Sequence, residues 1–182
     1  MRQLTFHGGI NEIGGNKILL EEGDRNLFVD FGFPYSKHKK YYEEYLKPRS
    51  GAGLLDPLEM ELLPKIGGIY RQDLETPSLW DWFKDASYYR KLDHIDGVLL
   101  THAHLDHSGH IAFLRPEIPV YSTAITAFMT KAIQDSGKAD FDQQVCYYNP
   151  TSFDCPAGWK QPGLLSSGDA KWGRMSIVDT KP

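Results

Sequence analysis

Four of the seven histidines in this chain, with one aspartate, fall inside the ten residues THAHLDHSGH, Thr101 to His110. The spacing His102, His104, Asp106, His107 is that of a ligand set. In an extended segment, residues two apart project to the same side, so His102 and His104 can reach one cation together. If the chain then turns into a helix, Asp106 and His107 project from its first turn towards a neighbouring point. Imidazole with carboxylate favours Zn²⁺, with Mn²⁺ or Fe²⁺ as alternatives. The geometry suits two divalent ions rather than one. Such a pair, roughly 3.5–4 Å apart, bridges a water, lowers its pKa and clamps a substrate oxygen. The competing reading is a set of solvated loop histidines, with Asp106 or Ser108 capping a helix. Histidine is scarce elsewhere, and the cluster follows an apolar run, which favours metal. His110, about one helical turn past His107, is given a structural role.

The elements that must position this cluster can be read on either side of it. DGVLLT is a compact apolar run and reads as a buried strand ending at His102. HSGHIAFLRPE reads as a helix start, stopped near Pro116. RQLTF reads as a strand, HGGINEIGGN as a glycine-rich connection, and KILLE and NLFVDFGF as a hairpin around the turn EGDR. IPVYST is a further strand. AITAFMTKAIQDSG has helical spacing at Ile125, Phe128, Met129, Ala132 and Ile133, with Gly137 as its stop. QVCYY and RMSIVD are strand candidates in a tail rich in Pro, Gly and Ser. Residues 34–92 form an irregular, aromatic-rich insertion broken by five prolines, with short helices expected around YYEEYL and SLWDWFKDASYYRKL. Strands first and strand–helix units after them give an α/β or α+β fold with a mixed sheet.

Composition excludes several functions. The chain has 182 residues, 41% hydrophobic and 24% charged, with a formal charge of −4. That suits one soluble domain and provides no large basic field for a polyanion. No apolar run approaches the roughly 20 residues that span a bilayer, and the start lacks the apolar core of a secretory signal. Two cysteines, Cys146 and Cys155, read as reduced thiols of a cytoplasmic protein rather than as a disulfide framework or a zinc ribbon.

DGVLLTHAHLDHSGH resembles the signature of the metallo-β-lactamase superfamily, where the motif follows a sheet strand and holds two metals. GGINEIGGNKILLE followed by FVDFGF is similar to the opening of the nucleic-acid-processing branch of that superfamily, the β-CASP and RNase J-like enzymes. VYSTAITAFMTKAIQDS resembles the segment that follows the histidine motif there. The resemblance implies a metallo-β-lactamase-like αββα sandwich over residues 1–182, incomplete because only its first half is present. It implies metal ligation by His102, His104, Asp106 and His107, with Asp106 also orienting the nucleophile. Asp30, in VDFGF, takes the place of the family's first-motif aspartate, with a supporting role near the metal loop. The tripeptide DFG is not a kinase signature, because no HRD loop and no VAIK strand accompany it.

The family pattern asks for more ligands than are visible. No histidine follows His110, and Thr180 in SIVDTKP stands where a third-motif ligand would be wanted. Asp140, Asp142, Asp154, Asp169 and Asp179 are carboxylates with nothing to choose among them. The expectation is therefore an amino-terminal fragment of a metallo-hydrolase, weak in metal binding and inactive alone. An uncovered sheet face should make it self-associate or dissolve poorly, unless the tail folds over the gap. The expected activity of the intact enzyme is phosphodiester hydrolysis of RNA or another nucleic acid. The alternatives are thioester, lactone or lactam hydrolysis on the same fold, or a non-catalytic scaffold with a relic site. Lys37, Lys39, Lys40, Lys47 and Arg49, interleaved with Tyr41, Tyr42 and Tyr45, could meet phosphates and bases. An amphipathic helix with its tyrosines on the core is the preferred reading. Trp80, Trp82, Phe83, Tyr88 and Tyr89 are assigned to the core or a partner surface.

Overall fold

The computed structural model describes residues 2–42, 46, 49, 52–136 and 144–148. It also describes the backbone of the short strands at 151–152, 163–164, 171–172 and 175–177. In chain order the strands are β1 (Arg2–Gly8), β2 (Lys17–Glu22), β3 (Arg25–Val29), β4 (Ile66–Gly67), β5 (Arg90–Lys91), β6 (Gly97–Leu99), β7 (Val120–Ser122), β8 (Tyr147–Tyr148), β9 (Thr151–Ser152), β10 (Gly163–Leu164), β11 (Lys171–Trp172) and β12 (Met175–Ile177). The helices are α1 (Tyr35–Tyr41), α2 (Leu55–Glu59), α3 (Leu79–Phe83), α4 (Leu105–Ser108) and α5 (Ala124–Asp135).

One six-stranded sheet organises the molecule, in the order β1-β2-β3-β6-β7-β12. β1, β2 and β3 run antiparallel, and β3, β6, β7 and β12 run parallel. The fold is mixed α/β, part of the αββα architecture. Strand alternation sorts the sheet residues into two faces. Leu19, Phe28, Val98 and Val120 are fully buried on one. On that side lies a core that also takes Leu54, Leu58, Ile66, Ile69, Tyr70, Leu79 and Phe83. Residues 54–92 thus contribute to the common core, and Trp80 and Tyr89 lean against it.

The opposite face is apolar but open. Cross-strand pairing sets Leu4 and Phe6 beside Leu20 and Ile18, those beside Leu27 and Val29, and Val29 beside Leu99 and then Tyr121. Leu4 is 57% exposed, Phe6 52% and Leu99 40%, and the other members of the row are only half-buried. Among the described residues no second sheet layer covers this row.

Three helices differ from expectation. The helix expected over HSGHIAFLRPE is instead α4, which ends at Ser108 and is followed by a 3₁₀ turn at Ile111–Phe113. α1 begins at Tyr35, ahead of the expected YYEEYL, and buries none of its residues. Tyr41 is exposed, so this tyrosine is not on the core; Glu43, Glu44, Tyr45 and Lys47 lie outside the described residues. Lys37 bonds the Glu61 carbonyl and carboxylate, and Arg49 pairs with Asp56, so two of the five basic residues offered as alternative phosphate contacts are engaged internally. α5 follows its predicted span, capped by the Thr123 side chain, which accepts from the Thr126 amide at 3.3 Å. Its faces are inverted. Ile125, Phe128 and Met129 are exposed, while Thr126, Thr130 and Gln134 are buried. Gln134 explains the choice. Its Oε1 accepts from the Cys146 amide at 3.0 Å and its Nε2 donates to the Tyr147 carbonyl at 2.6 Å. A buried backbone segment must have its polar groups satisfied, and turning α5 to do so leaves the apolar stripe outside.

Candidate metal centre

The site grows from two neighbouring parallel strands. β3 and β6 are paired, and the backbone hydrogen bond from the Asp30 amide to the Leu99 carbonyl (3.0 Å) carries the pairing past their carboxyl ends. Ligands of open parallel sheets sit at that end. Asp30 leaves β3 with φ +57°, a left-handed conformation that aspartate tolerates better than most residues. This turns its carboxylate back across β6. Oδ1 accepts from the Thr101 amide at 2.8 Å and from Thr101 Oγ1 at 2.9 Å, and Oδ2 lies 2.7 Å from His107 Nδ1. The carboxylate is almost completely buried.

With its Nδ1 engaged by a carboxylate, His107 keeps its lone pair on Nε2, which lies 3.2 Å from the Asn16 side-chain nitrogen. This is the arrangement by which a carboxylate fixes the tautomer of a metal-binding histidine. His107 Nε2 lies 3.6 Å from an Asp106 oxygen, and the His107 ring packs 3.9 Å from that of His102. His102, His104 and Asp106 each offer a ligand atom, and these atoms lie within 4.8 Å of one another. His104 is the N-cap of α4, extended at φ −68°, ψ 145°, so the chain passes from extended to helical between His104 and Asp106 as the spacing required. No side chain caps α4; Ser108 instead donates back to the His104 carbonyl at 3.0 Å. Capping therefore does not account for Asp106.

A backbone plate supports the loop. The Phe31 amide donates to the His107 carbonyl (2.9 Å), the Phe33 amide to the Leu105 carbonyl (2.8 Å), and the Asn16 amide to the Asp106 carbonyl (3.3 Å). Gly32, between the two phenylalanines, is pressed against Asp106: a Cβ there would stand 1.7 Å from the Asp106 carbonyl oxygen. The fully buried Lys17 donates to the Gly32 carbonyl at 2.5 Å, and burial brings its pKa down to about 7. His110 is buried against Phe33 and Phe113 with its Nδ1 unpartnered, and burial holds its pKa well below the ordinary range. It is a neutral packing residue, as the sequence indicated. His94 is exposed, and His7 and His38 lie apart from the cluster.

The structure thus brings His102, His104, Asp106, His107 and Asp30 to one place. Thr101, Asn16 and Lys17 were not singled out by the sequence. Position alone could have flagged Thr101, which opens the motif, and Asn16, which closes the glycine-rich connection. Asp140, Asp142, Asp154, Asp169, Asp179 and Thr180 lie outside the described residues. β12, however, runs parallel to β7, so its carboxyl end is on the same sheet edge as the histidines.

Residues 78–160 match the family model of the β-lactamase superfamily domain. Ribonuclease J of Mycolicibacterium smegmatis is 30% identical over 132 residues, 71% of this chain and 17% of the relative. These matches support a likeness of the chain to the metallo-β-lactamase superfamily. Ribonuclease J of Mycobacterium tuberculosis is 31% identical over 127 residues, and that of Helicobacter pylori 26% identical over 127 residues, in each case 68% of this chain. The match covers 16% and 13% of those two relatives. The chain thus spans about a sixth of the length of the curated relatives it matches. A crystal structure of a protein of unknown function from Enterococcus faecalis superimposes with a TM-score of 0.52 at 26% identity, over 76% of this chain and 29% of that one. Within the superfamily, then, the similarity of this chain is to an RNase J-like amino-terminal portion. No helix among the described residues is long and apolar enough to cross a membrane.

Proposed function

We propose that this chain is the amino-terminal part of a metal-dependent phosphodiesterase of the β-CASP and RNase J-like branch, acting on RNA. The observation that carries the reading is the convergence of His102, His104 and Asp106 beside a His107 whose Nδ1 is held by Asp30. Neutral imidazoles and a carboxylate are the donors that zinc prefers, so the residues present fit a divalent metal. Two ions are proposed, zinc before manganese or iron, held by His102, His104, Asp106 and His107. When bound, they supply a water acidic enough to be hydroxide near neutral pH and positive charge beside a phosphoryl oxygen. The chain does the rest. Asp30 keeps the His107 proton on Nδ1 and its lone pair on Nε2. Thr101 fixes Asp30 through two donors. The 31–33 plate holds the loop rigid, so that little reorganisation remains when charge develops. Asp106 both binds a metal and orients the nucleophile.

We further propose that the remaining ligands come from polypeptide outside these 182 residues. The small share of each relative that the match covers supports this, as does the absence of histidine after His110. The apolar row from Leu4 to Tyr121 supports self-association of the isolated chain. The test is to assay a full-length protein carrying this sequence against 5′-labelled RNA, single-stranded DNA and a thioester, with and without a chelator. Chelator-sensitive RNA cleavage that is lost in His102→Ala is expected. Thioester hydrolysis without RNA cleavage would move the assignment elsewhere on the fold. Absence of bound metal and of all turnover would leave a scaffold.

A further inference from the structure

Asn16 sits in the candidate centre without a role in it. Its backbone is locked: the amide donates to the Asp106 carbonyl, and its carbonyl accepts from the Gly32 amide at 2.9 Å. Its side-chain oxygen is turned towards Gly9, so close that a Cβ on Gly9 would be 2.0 Å away. The amide nitrogen therefore faces the histidines. It lies 3.2 Å from His107 Nε2 and 3.4 Å from Nδ1, within hydrogen-bond reach of the ring nitrogens. Nδ1 is already engaged by Asp30, and Nε2 is the nitrogen left for a cation. A primary amide nitrogen carries two donors and cannot itself ligate a metal. In this structure Nε2 is the acceptor of that amide; a cation on Nε2 would take the lone pair and leave the two donors free beside it. An imidazole–metal bond is roughly 2 Å long, so this amide stays within about 5 Å of a cation held by His107. At that separation a donor and a metal can share the oxygens of one phosphoryl group.

We infer that Asn16 is an oxyanion donor of this site, binding a non-bridging phosphoryl oxygen of the substrate beside the metal held by His107. The inference rests on the metal-dependent phosphodiesterase reading above and deepens it. A preorganised amide donor acts where negative charge accumulates, and its rigid backbone means that it is in place before the substrate arrives. The glycine-rich connection then has a purpose beyond turning the chain: Gly9 leaves room for the Asn16 carboxamide to take this orientation.

The test uses the chain as it is, with Asn16→Ala and Asn16→Ser, zinc, and inorganic phosphate as probe. Zinc affinity is measured by competition with a chelating indicator. Phosphate affinity is then measured by calorimetry on the zinc-saturated proteins. Expected are zinc affinities within about twofold of one another, a loss of phosphate affinity of about tenfold or more in Asn16→Ala, and partial recovery in Asn16→Ser, which keeps a donor. Zinc uptake with equal phosphate affinities in all three proteins would overturn this inference and leave the metal reading standing. So would a loss of zinc affinity with phosphate affinity unchanged, which would make Asn16 a brace for the loop. A chain that takes up no zinc would remove the metal reading itself, and this inference with it.

Discussion

Replacing Gly32 with alanine is the smallest change that should dismantle the centre without touching a candidate ligand. The added methyl would stand 1.7 Å from the Asp106 carbonyl oxygen, 2.3 Å from its carbon and 2.8 Å from the His107 amide nitrogen. All three are backbone atoms, so no rotamer change relieves the clash. The 31–33 plate and the 104–107 loop must separate by more than an ångström. That breaks the Phe31–His107 and Phe33–Leu105 backbone bonds. Overpacking costs about 1–3 kcal/mol, and each lost backbone bond adds about 1 kcal/mol. The expected loss is therefore about 3–5 kcal/mol, read from urea unfolding followed by circular dichroism. Gly23→Ala is the control. Gly23 has φ +64° in the hairpin turn but nothing within 4 Å of an added Cβ, so only the left-handed strain of about 1–2 kcal/mol applies. Zinc affinity should fall with Gly32→Ala and stay unchanged with Gly23→Ala. If Gly32→Ala costs no more than Gly23→Ala and leaves zinc affinity intact, the plate does not hold the loop.

Three further expectations follow from the same contacts. Asp30→Asn keeps the shape and tolerates φ +57°, yet removes the carboxylate that fixes His107, so zinc affinity should drop about 10–100-fold in chelator competition with little change in melting temperature. Lys17 has a folded pKa of about 7 against an ordinary 10.5. Between those values the unfolded chain holds a proton that the folded one lacks, so stability should rise from pH 7 to pH 10. The neutral amine can still donate to Gly32, and Lys17→Met should flatten that part of the urea-midpoint profile. Finally, Phe6→Glu places a charge in the open apolar row and should shift the sedimentation profile towards monomer. Unchanged association would place the contact elsewhere, with the exposed Ile125, Phe128 and Met129 of α5 as the next surface to alter.

The sequence made the centre legible because its chemistry is local. His102, His104, Asp106 and His107 lie within six consecutive residues, and the extended-to-helical switch that aims them is written in their spacing. Asp30 was legible only through the family likeness, since nothing near VDFGF announces that β3 will pair with β6. Thr101, Asn16 and Lys17 depend on contacts up to 91 residues apart in the chain, which no local pattern encodes. α5 shows the reverse failure. Its periodicity gave the right helix, but which stripe faces inward was decided by Gln134 satisfying a distant backbone segment. Tyr41 misled for a related reason: a helix as short as α1, with no buried residue, is positioned by its flanks.

The central claim is that these side chains gather round a divalent cation. It is tested most directly by the ring ¹⁵N resonances of all seven histidines during a zinc titration, which report even weak binding. The account predicts large shifts at His102, His104 and His107, with metal on Nε2 of His107 and its proton retained on Nδ1, while His7, His38, His94 and His110 stay put. Shifts confined to the exposed His94, or zinc on Nδ1 of His107, would contradict it.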